Sequence, residues 1–305
     1  MEVGRFAPSP SGRMHLGNVF AALLAWLSVR SAGGEMVLRI EDLDRNRCTA
    51  EYERLLREDL LWLGLDWDRE QRPQRLGDAD YEAVLDRLAD RVYPCWCSRS
   101  TLSEASAPHA SDGHVIYPGT CRDLTEAQRA AQTRPAALRL RVPEETIRFT
   151  DGVYGPCEED LANQCGDFVL RRADGGFTYQ LAVVADDIAA GVTQVVRGRD
   201  LLSSTPRQIF LYRLLDRQPP NYFHIPLLLA PDGRRLSKRE RDRAMDVLRR
   251  ELPPQALIGT LAHAAGLIDA DEPVSPSELA RQFSWDRLRP ADIVVGEGSL
   301  RACRD

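Results

Sequence analysis

The beginning of the chain contains the pattern that most restricts its fold. A short apolar strand over residues 3–6 leads into a loop rich in Pro, Ser and Gly at residues 8–12. A helix with an apolar inner face is expected from Gly17, and a Gly-Gly pair marks its end. Residues 36–40 then form a second predicted strand. Strand, loop, helix and strand in this order make a βαβ unit, which favours a parallel sheet.

The rest of the chain divides into segments of different character. Helices are expected over residues 50–64 and 81–91, and the pattern changes at Tyr93. The sequence that follows has clustered cysteines, a loose Ser/Ala/Gly/His stretch and short strands, so we interpret it as an insertion between two halves of the sheet. We predict an α/β protein with four parts: the first half of a nucleotide-binding domain at 1–92, the insertion at 93–176, the second half at 177–240 and a helical segment at 241–305.

Composition excludes several classes of protein. The 305 residues are 43% hydrophobic and 28% charged, as is usual for a globular protein. Arg5 and Pro8 interrupt any secretory signal, and the longest apolar stretch, residues 19–29, is shorter than the roughly 20 residues that cross a bilayer. Seven cysteines, an odd number, disfavour a disulfide framework. We therefore expect a cytoplasmic protein with no membrane partner, and its net charge of −6 argues against a general nucleic-acid coat.

Residues 8–18 are the first candidate phosphate-binding segment. In a parallel sheet this loop lies at the carboxyl edge, where ligands bind, and the next helix offers unpaired N–H groups to an anion. The two glycines allow close approach of the backbone, and a histidine can donate to a phosphate oxygen. A plain turn followed by an ordinary helix cap is the alternative interpretation. The predicted ATP-binding residues here are Pro8, Ser11, Gly12, His15, Gly17 and Asn18.

The second candidate segment lies far downstream, directly after a Pro-Asp-Gly turn. Here Leu236, Ser237 and Lys238 are predicted to contact ATP, and Lys238 would neutralise charge that develops at the phosphates. Taken alone, the segment is better explained as a solvated basic loop. Together the two segments predict a nucleotide held from both sides, with His15 and Lys238 as the catalytic pair.

These motifs resemble those of class I aminoacyl-tRNA synthetases, which pair a His-x-Gly-His-type loop with a Lys-Met-Ser-Lys-Ser-type loop. Residues 5–12 are similar to the Arg-Phe-Ala-Pro-Ser-Pro-x-Gly opening of the glutamyl branch, and the chain most resembles the short paralogues within it. Asn18 replaces the last histidine of the first signature. Arg235 and Arg239 replace the outer residues of the second signature. The resemblance implies a Rossmann-like sheet with a zinc-containing insertion.

The same resemblance implies a reaction. Its members join L-glutamate to Mg-ATP as glutamyl-adenylate, and the short paralogues transfer glutamate to queuosine in the anticodon of tRNA(Asp). Too few residues follow Arg239 for the anticodon-reading domains of a full-length glutamyl enzyme. We expect a monomer whose partners are ATP, L-glutamate and tRNA(Asp). A truncated enzyme charging tRNA(Glu) and a non-catalytic tRNA- or nucleotide-binding module are the alternatives.

A pocket for glutamate needs two cationic groups for its carboxylates and an anionic group for its ammonium. Arg5 and Arg197 are expected at the carboxyl ends of strands, Glu41 follows a strand, and Tyr179 adds a hydroxyl group. A surface ion pair is the alternative for each of them. By resemblance, the glutamate site comprises Arg5, Phe6, Ala7, Pro8, Ser9, Glu41, Tyr179 and Arg197.

Closely spaced cysteines in the insertion predict a metal site. Cys95, Cys97 and Cys121 have the spacing of structural zinc ligands, with buried free thiols as the alternative. The resemblance implies Tyr117 as the fourth ligand, and His109 and His114 are alternatives by their position in the chain. The other cysteines are interpreted as ordinary core or surface residues: Cys48, Cys157, Cys165 and Cys303.

Overall fold

A five-stranded parallel sheet is the centre of the molecule. The structure is a computed structural model that describes residues 1–97, 116–230, 232–234 and 244–296. The strands of this sheet are β1 (Val3–Phe6), β2 (Glu35–Leu38), β3 (Arg69–Glu70), β9 (Gln194–Gly198) and β10 (Asn221–Ile225). They lie in the order β10-β9-β1-β2-β3, and every neighbouring pair is parallel. The predicted α/β fold with a parallel sheet is confirmed.

Helices cover both faces of this sheet. They are α1 (Leu16–Ser31), α2 (Ala50–Leu63), α3 (Asp78–Arg87), α5 (Tyr179–Ala190) and α6 (Thr205–Leu214). Consecutive residues of a strand point to opposite faces, and Val195 and Val196 accordingly belong to two different apolar cores. Among the described residues, no helix combines the length and the apolar character needed to cross a membrane.

The inserted region is antiparallel. Strands β4 (Val92–Cys95), β5 (Ala137–Leu140) and β8 (Phe168–Arg171) form a three-stranded sheet, and a short helix, α4 (Glu126–Ala130), precedes β5. Strands β6 (Thr146–Asp151) and β7 (Gly155–Asp160) form a separate hairpin. The turn of this hairpin contacts the main sheet, because the Gly152 amide donates to the Tyr222 carbonyl oxygen at 2.8 Å.

The described C-terminal part is mainly helical, as expected for residues 241–305, and it also includes one short strand. It contains α7 (Met245–Glu251), α8 (Pro254–Ala264) and α9 (Pro276–Ala280). It also contains β12 (Ile293–Val294), which pairs in parallel with β11 (Leu228–Leu229). A two-residue strand has no periodicity of its own, so only its distant partner defines it. The predicted apolar positions of the helices are buried: Leu248, Leu252, Leu257, Leu261 and Ala265.

Candidate active site

A cavity of about 420 Å³ lies at the carboxyl edge of the parallel sheet. Eleven of the predicted ATP- and glutamate-binding residues line it: Arg5, Phe6, Ala7, Pro8, Ser9, His15, Gly17, Asn18, Glu41, Tyr179 and Arg197. Ser11 and Gly12 belong to the same loop but are not among the lining residues. Leu236, Ser237 and Lys238 lie outside the described residues. Sequence motifs separated by more than 150 residues therefore share one concave surface.

His15 caps the helix that follows the first signature. Its Nδ1 accepts the Gly17 amide hydrogen at 3.1 Å, and its own amide donates to Oδ1 of Asn18 at 3.2 Å. Because Nδ1 accepts, the neutral ring carries its proton on Nε2. A Cβ atom at Gly17 would lie 3.1 Å from a carbon of the His15 ring, so a larger residue would crowd the imidazole. Asn18 thus stabilises the turn that orients His15.

The chain beyond the second signature returns to the first one. Ala244 forms an isolated β-bridge with His15, and the Met245 amide donates to the Met14 carbonyl oxygen at 3.0 Å. Nothing in the sequence marks this contact, because it joins residues far apart in the chain. Lys238 itself lies outside the described residues, so its approach to His15 stays a prediction.

A buried carboxylate reinforces the same junction. Oδ1 of Asp59, on α2, accepts from Arg13 at 2.7 Å and from Arg249 at 2.9 Å. Arg13 belongs to the first signature and Arg249 to α7, which begins just after the return contact. Burial raises the pKa of Asp59, against the lowering effect of the two guanidinium groups. One acidic side chain therefore joins the first signature to α7.

Arg5 and Glu41 of the cavity wall belong to a charged cluster with Asp187 and Arg39, two residues that the sequence motifs did not indicate. Asp187, on α5, forms ion pairs with Arg39 and, at 3.5 Å, with Nε of Arg5. Arg39 also donates to Oε1 of Glu41 at 3.1 Å. Both arginines are almost completely buried, and Arg39 directly follows β2. A signal existed in the sequence, because Asp186 and Asp187 interrupt an otherwise apolar helix and so require buried partners.

Glu41 is the more buried of two acidic residues in the cavity wall, the other being the exposed Asp200. Burial raises the pKa of this carboxyl group above its ordinary value, although Arg39 and Arg5 act in the opposite direction. Ionised Glu41 is therefore unfavourable in free energy unless a cationic group pairs with its open side. An ammonium group is a suitable partner.

Arg197 has a different environment from the other two arginines. All five of its N–H groups are engaged, by Tyr179 Oη (3.2 Å), Gln208 Oε1 (2.8 Å), the Leu201 carbonyl (3.3 Å), Thr205 Oγ1 (2.8 Å) and His224 Nε2 (3.1 Å). Each of these acceptors is neutral. Within the part of the chain that the structure describes, no carboxylate pairs directly with Arg197. Its positive charge is fixed in place but not neutralised.

His224 in turn contacts a buried acid. Its Nδ1 lies 2.6 Å from Oδ2 of Asp151, which is the last residue of β6. Burial opposes ionisation of both groups: it lowers the pKa of His224, and it acts to raise the pKa of Asp151. Hydrogen bonds from His224 and from the amides of Tyr154 and Val153 outweigh burial and hold the pKa of Asp151 below its ordinary value. The pair therefore favours a neutral imidazole beside an ionised carboxylate.

Several lining residues were missed by sequence reasoning. They lie at or just after the carboxyl ends of β9 and β10: Gly198, Asp200, Leu201, Ile225, Pro226, Leu227 and Leu228. The position of Asp200, a carboxylate three residues after the predicted strand that ends at Arg197, is similar to the signal that identified Glu41. The apolar residues gave no such signal, because in the sequence they look like ordinary core positions.

The predicted thiol ligands converge in the insertion. The sulfur atoms of Cys95, Cys97 and Cys121 all lie within 4.8 Å of one another, which is compatible with a metal site. The Tyr117 hydroxyl oxygen lies 3.5 Å from Cys95 Sγ and 3.9 Å from Cys97 Sγ. His109 and His114, the alternative ligands, lie outside the described residues, as does Cys303. Cys48, Cys157 and Cys165 lie away from this cluster and are not in disulfides.

Arg139 adds a positive charge to the cluster. Its Nε donates to Cys95 Sγ at 3.2 Å, and its guanidinium carbon lies 3.8 Å from the centre of the Tyr117 ring. Burial acts to raise the pKa of Cys95, but hydrogen bonds from Tyr117 and Arg139 outweigh it and lower that pKa. For Cys97, burial and the neighbouring thiol of Cys121 raise the pKa to about 11. A cation would be needed to ionise all three thiols together.

Comparison with known proteins identifies the family. Residues 3–294 match the family model of tRNA synthetases class I (E and Q), catalytic domain. The glutamyl-Q tRNA(Asp) synthetase of Nitratidesulfovibrio vulgaris is 48% identical over 314 residues, covering 95% of this chain and 96% of that protein. The chain belongs to the glutamyl-Q tRNA(Asp) synthetases. A second relative with the same name, from Symbiobacterium thermophilum, is 48% identical over 319 residues and covers 99% of this chain and 98% of its own length.

Solved structures agree with this assignment. A glutamate tRNA ligase from Elizabethkingia meningosepticum, crystallised in complex with its amino acid, matches 98% of this chain and 68% of its own length. The TM-score is 0.83 at 26% sequence identity. The predictions of a class I synthetase fold and of a ligase of the glutamyl family are confirmed.

Proposed function

We propose that this chain activates L-glutamate with Mg-ATP and transfers it to queuosine in the anticodon of tRNA(Asp). The observation that carries the first half is the charge pattern of the cavity. A fixed guanidinium with no direct carboxylate partner among the described residues, Arg197, and a largely buried carboxylate, Glu41, line the same cavity as Arg5. This pattern is complementary to an amino acid with two carboxylates and one ammonium.

The binding roles follow from the partners of each side chain. We assign Arg197 and Arg5 to the two carboxylates of glutamate, and Glu41 to its ammonium group. Tyr179 places its hydroxyl group 3.2 Å from the guanidinium of Arg197 and would contact the same carboxylate. Phe6, Ala7, Pro8 and Ser9 would line the remainder of the amino-acid site.

The chemical step needs positioning more than proton transfer. The α-carboxylate of glutamate is ionised at neutral pH and attacks the α-phosphorus of ATP, while pyrophosphate leaves with the bound Mg²⁺. His15 would donate from Nε2 to a phosphate oxygen, in the tautomer that its Nδ1 contact favours. Lys238 is proposed to neutralise the phosphates from the second signature. Gly17 and Asn18 would shape the phosphate site with Ser11 and Gly12, and Leu236 and Ser237 would contact ATP beside Lys238.

We further propose that the thiol cluster binds structural zinc through Cys95, Cys97, Tyr117 and Cys121. The sulfurs of Cys97 and Cys121 are 3.6 Å apart. Two sulfurs bound to one tetrahedral zinc at roughly 2.3 Å lie roughly 3.8 Å apart, so the spacing fits. The Cys121 amide donates to the Tyr117 hydroxyl oxygen at 2.7 Å, which stabilises negative charge on that oxygen. Clearly substoichiometric zinc in protein purified without chelators would contradict this assignment.

The molecule that accepts glutamate, queuosine in tRNA(Asp), is proposed from the names of the relatives rather than from the cavity. Its test is incubation with ATP, radiolabelled glutamate and fractionated tRNAs, with and without queuosine, followed by mapping of the label. We expect label on the queuosine nucleoside of tRNA(Asp) only. Label at the 3′ end of tRNA(Glu) would instead show a truncated glutamyl-tRNA synthetase. Absence of both label and glutamate-dependent pyrophosphate exchange would indicate a non-catalytic module.

A further inference from the structure

A chain of hydrogen bonds leads from the glutamate site to the inserted hairpin. It begins at Arg197, on β9, continues through His224, on β10, and ends at Asp151, on β6. All three residues are nearly inaccessible, at 5%, 0% and 1% exposure. Thr205, the first residue of α6, contacts both Arg197 and His224 through its hydroxyl group.

Donor and acceptor chemistry fixes the direction of every bond in this chain. Arginine only donates, so Nε2 of His224 must accept the Nε–H of Arg197 at 3.1 Å. The neutral imidazole then carries its proton on Nδ1 and donates it to Asp151 at 2.6 Å. The Thr205 hydroxyl accepts from Arg197 at 2.8 Å and is therefore free to donate to His224 Nε2 at 3.2 Å. Each hydrogen bond therefore runs in the direction from the Arg197 guanidinium toward Asp151, whose carboxylate is the last acceptor.

Asp151 is held firmly by its own surroundings. Its Oδ1 accepts the amides of Val153 and Tyr154, each at 3.0 Å, and its Oδ2 accepts the amide of His224 at 3.1 Å. These bonds close the hairpin turn and place the carboxylate directly below His224. If the imidazole carried its proton on Nε2 instead, that N–H would face the Nε–H of Arg197, a second donor. The unprotonated Nδ1 would then face the carboxylate of Asp151.

We infer that Asp151 and His224 are positioning residues that set the orientation of Arg197 for a glutamate carboxylate. This inference rests on the proposed function, because it takes Arg197 to bind the substrate. It assigns the inserted hairpin a role in amino-acid binding, since the terminal carboxylate of the chain comes from β6. Neither residue touches the substrate.

The decisive variant is Asp151→Asn, which keeps the size of the side chain but turns one acceptor into a donor. With its amide nitrogen toward Nδ1 of His224, the new side chain would force the imidazole proton to Nε2, against Arg197. In the other orientation the same nitrogen would face the Val153 and Tyr154 amides and open the turn that supports His224. We expect the KM for glutamate in pyrophosphate exchange to rise by about ten- to a hundredfold, the effect of one hydrogen bond to a charged group. The KM for ATP should change by less than about threefold. Equal changes in both constants would overturn the inference.

Two further variants distinguish an effect on Arg197 from a simple folding defect. Thr205→Val preserves shape and removes only the hydroxyl bridge, and it should raise the KM for glutamate by about two- to tenfold. Ser28→Ala is the matched control: it removes a buried 2.6 Å hydrogen bond to Gln194, on the same strand as Arg197 but away from its guanidinium. Its KM for glutamate should stay within about twofold of wild type. A rise as large as that of Thr205→Val would overturn the inference.

A spectroscopic measurement separates this inference from the proposed function. In full-length protein with ¹⁵N-labelled histidine, the His224 resonances, assigned with a His224→Gln variant, should show a proton on Nδ1 and none on Nε2. A proton on Nε2 in the wild-type protein would overturn the hydrogen-bond chain whether or not the protein is active. If wild type shows no glutamate-dependent exchange while the Nδ1 proton is present, the proposed function fails and the chain of bonds stands.

Discussion

The two sides of the cavity hold their arginines by different means. On the side of β1 and β2, Arg5 and Arg39 pair with the buried carboxylate of Asp187. On the side of β9, Arg197 is surrounded by five neutral acceptors. The charge of Arg39 is therefore balanced by a direct carboxylate contact, whereas the charge of Arg197 is held by neutral groups and can attract an anionic ligand electrostatically. The first arrangement stabilises the sheet edge, and the second prepares a binding site.

The largest effect is expected from removing the balancing charge. Asp187→Asn keeps the shape of the side chain but leaves two buried guanidinium groups without their shared carboxylate. Breaking a buried ion pair in this way costs roughly 3–5 kcal/mol of the free energy of unfolding. Urea denaturation followed by circular dichroism measures the change as a shift of the midpoint.

The matched control removes a carboxylate from an exposed arginine. Glu158 forms a 3.0 Å ion pair with Arg148 across the inserted hairpin, and both side chains are solvent-exposed. Glu158→Gln should lower the free energy of unfolding by less than about 1 kcal/mol. Equal losses for Glu158→Gln and Asp187→Asn would show that burial of the ion pair does not matter.

A substitution on the β9 side of the cavity should affect activity rather than folding. Arg197→Ala removes the charge that has no internal counterion, so the carboxylate of bound glutamate loses its partner. We expect kcat/KM for glutamate in pyrophosphate exchange to fall by about thirty- to several thousandfold, while the secondary structure is retained. Unchanged exchange in this variant would remove Arg197 from the glutamate site, and the two sides of the cavity would then not differ in function.

The smallest effect concerns the acid limb of the pH profile. Because burial raises the pKa of Glu41, protonation begins at a higher pH than for an ordinary carboxyl group as the pH falls. Protonated Glu41 cannot pair with an ammonium group, so the KM for glutamate should rise on the acid side. Initial rates at several glutamate concentrations across the pH range test this. If Glu41→Gln kept the same acid limb, another group would be responsible.

The sequence was sufficient for the features that depend on local order. The βαβ unit follows from apolar spacing and from the Pro/Gly loop, and the three clustered thiols follow from their spacing alone. The glutamate and nucleotide residues could be expected at one edge because the ends of parallel strands meet there. Bounds differed by a few residues: the helix expected from Gly17 begins at Leu16, and the strand expected over residues 36–40 spans Glu35–Leu38.

The missed features all depend on pairs that only the folded chain brings together. Asp187 and Arg39 are 148 residues apart, and His224 and Asp151 are 73 residues apart. His224 lies within an apolar strand and resembles an ordinary core residue in the sequence. Its role becomes visible only when Arg197 and Asp151 are placed on either side of its ring. Local periodicity carries no information about such partners.

The central place of β1 has a consequence for biosynthesis. This strand pairs with β2 on one side, but its other neighbour, β9, is about 190 residues further along the chain. At the usual rate of about 5–20 residues per second, a ribosome leaves one edge of β1 uncovered for roughly ten to forty seconds. Nascent chains thus expose an open strand edge that other polypeptides can join. The cavity proposed to bind glutamate is completed only when that late strand arrives.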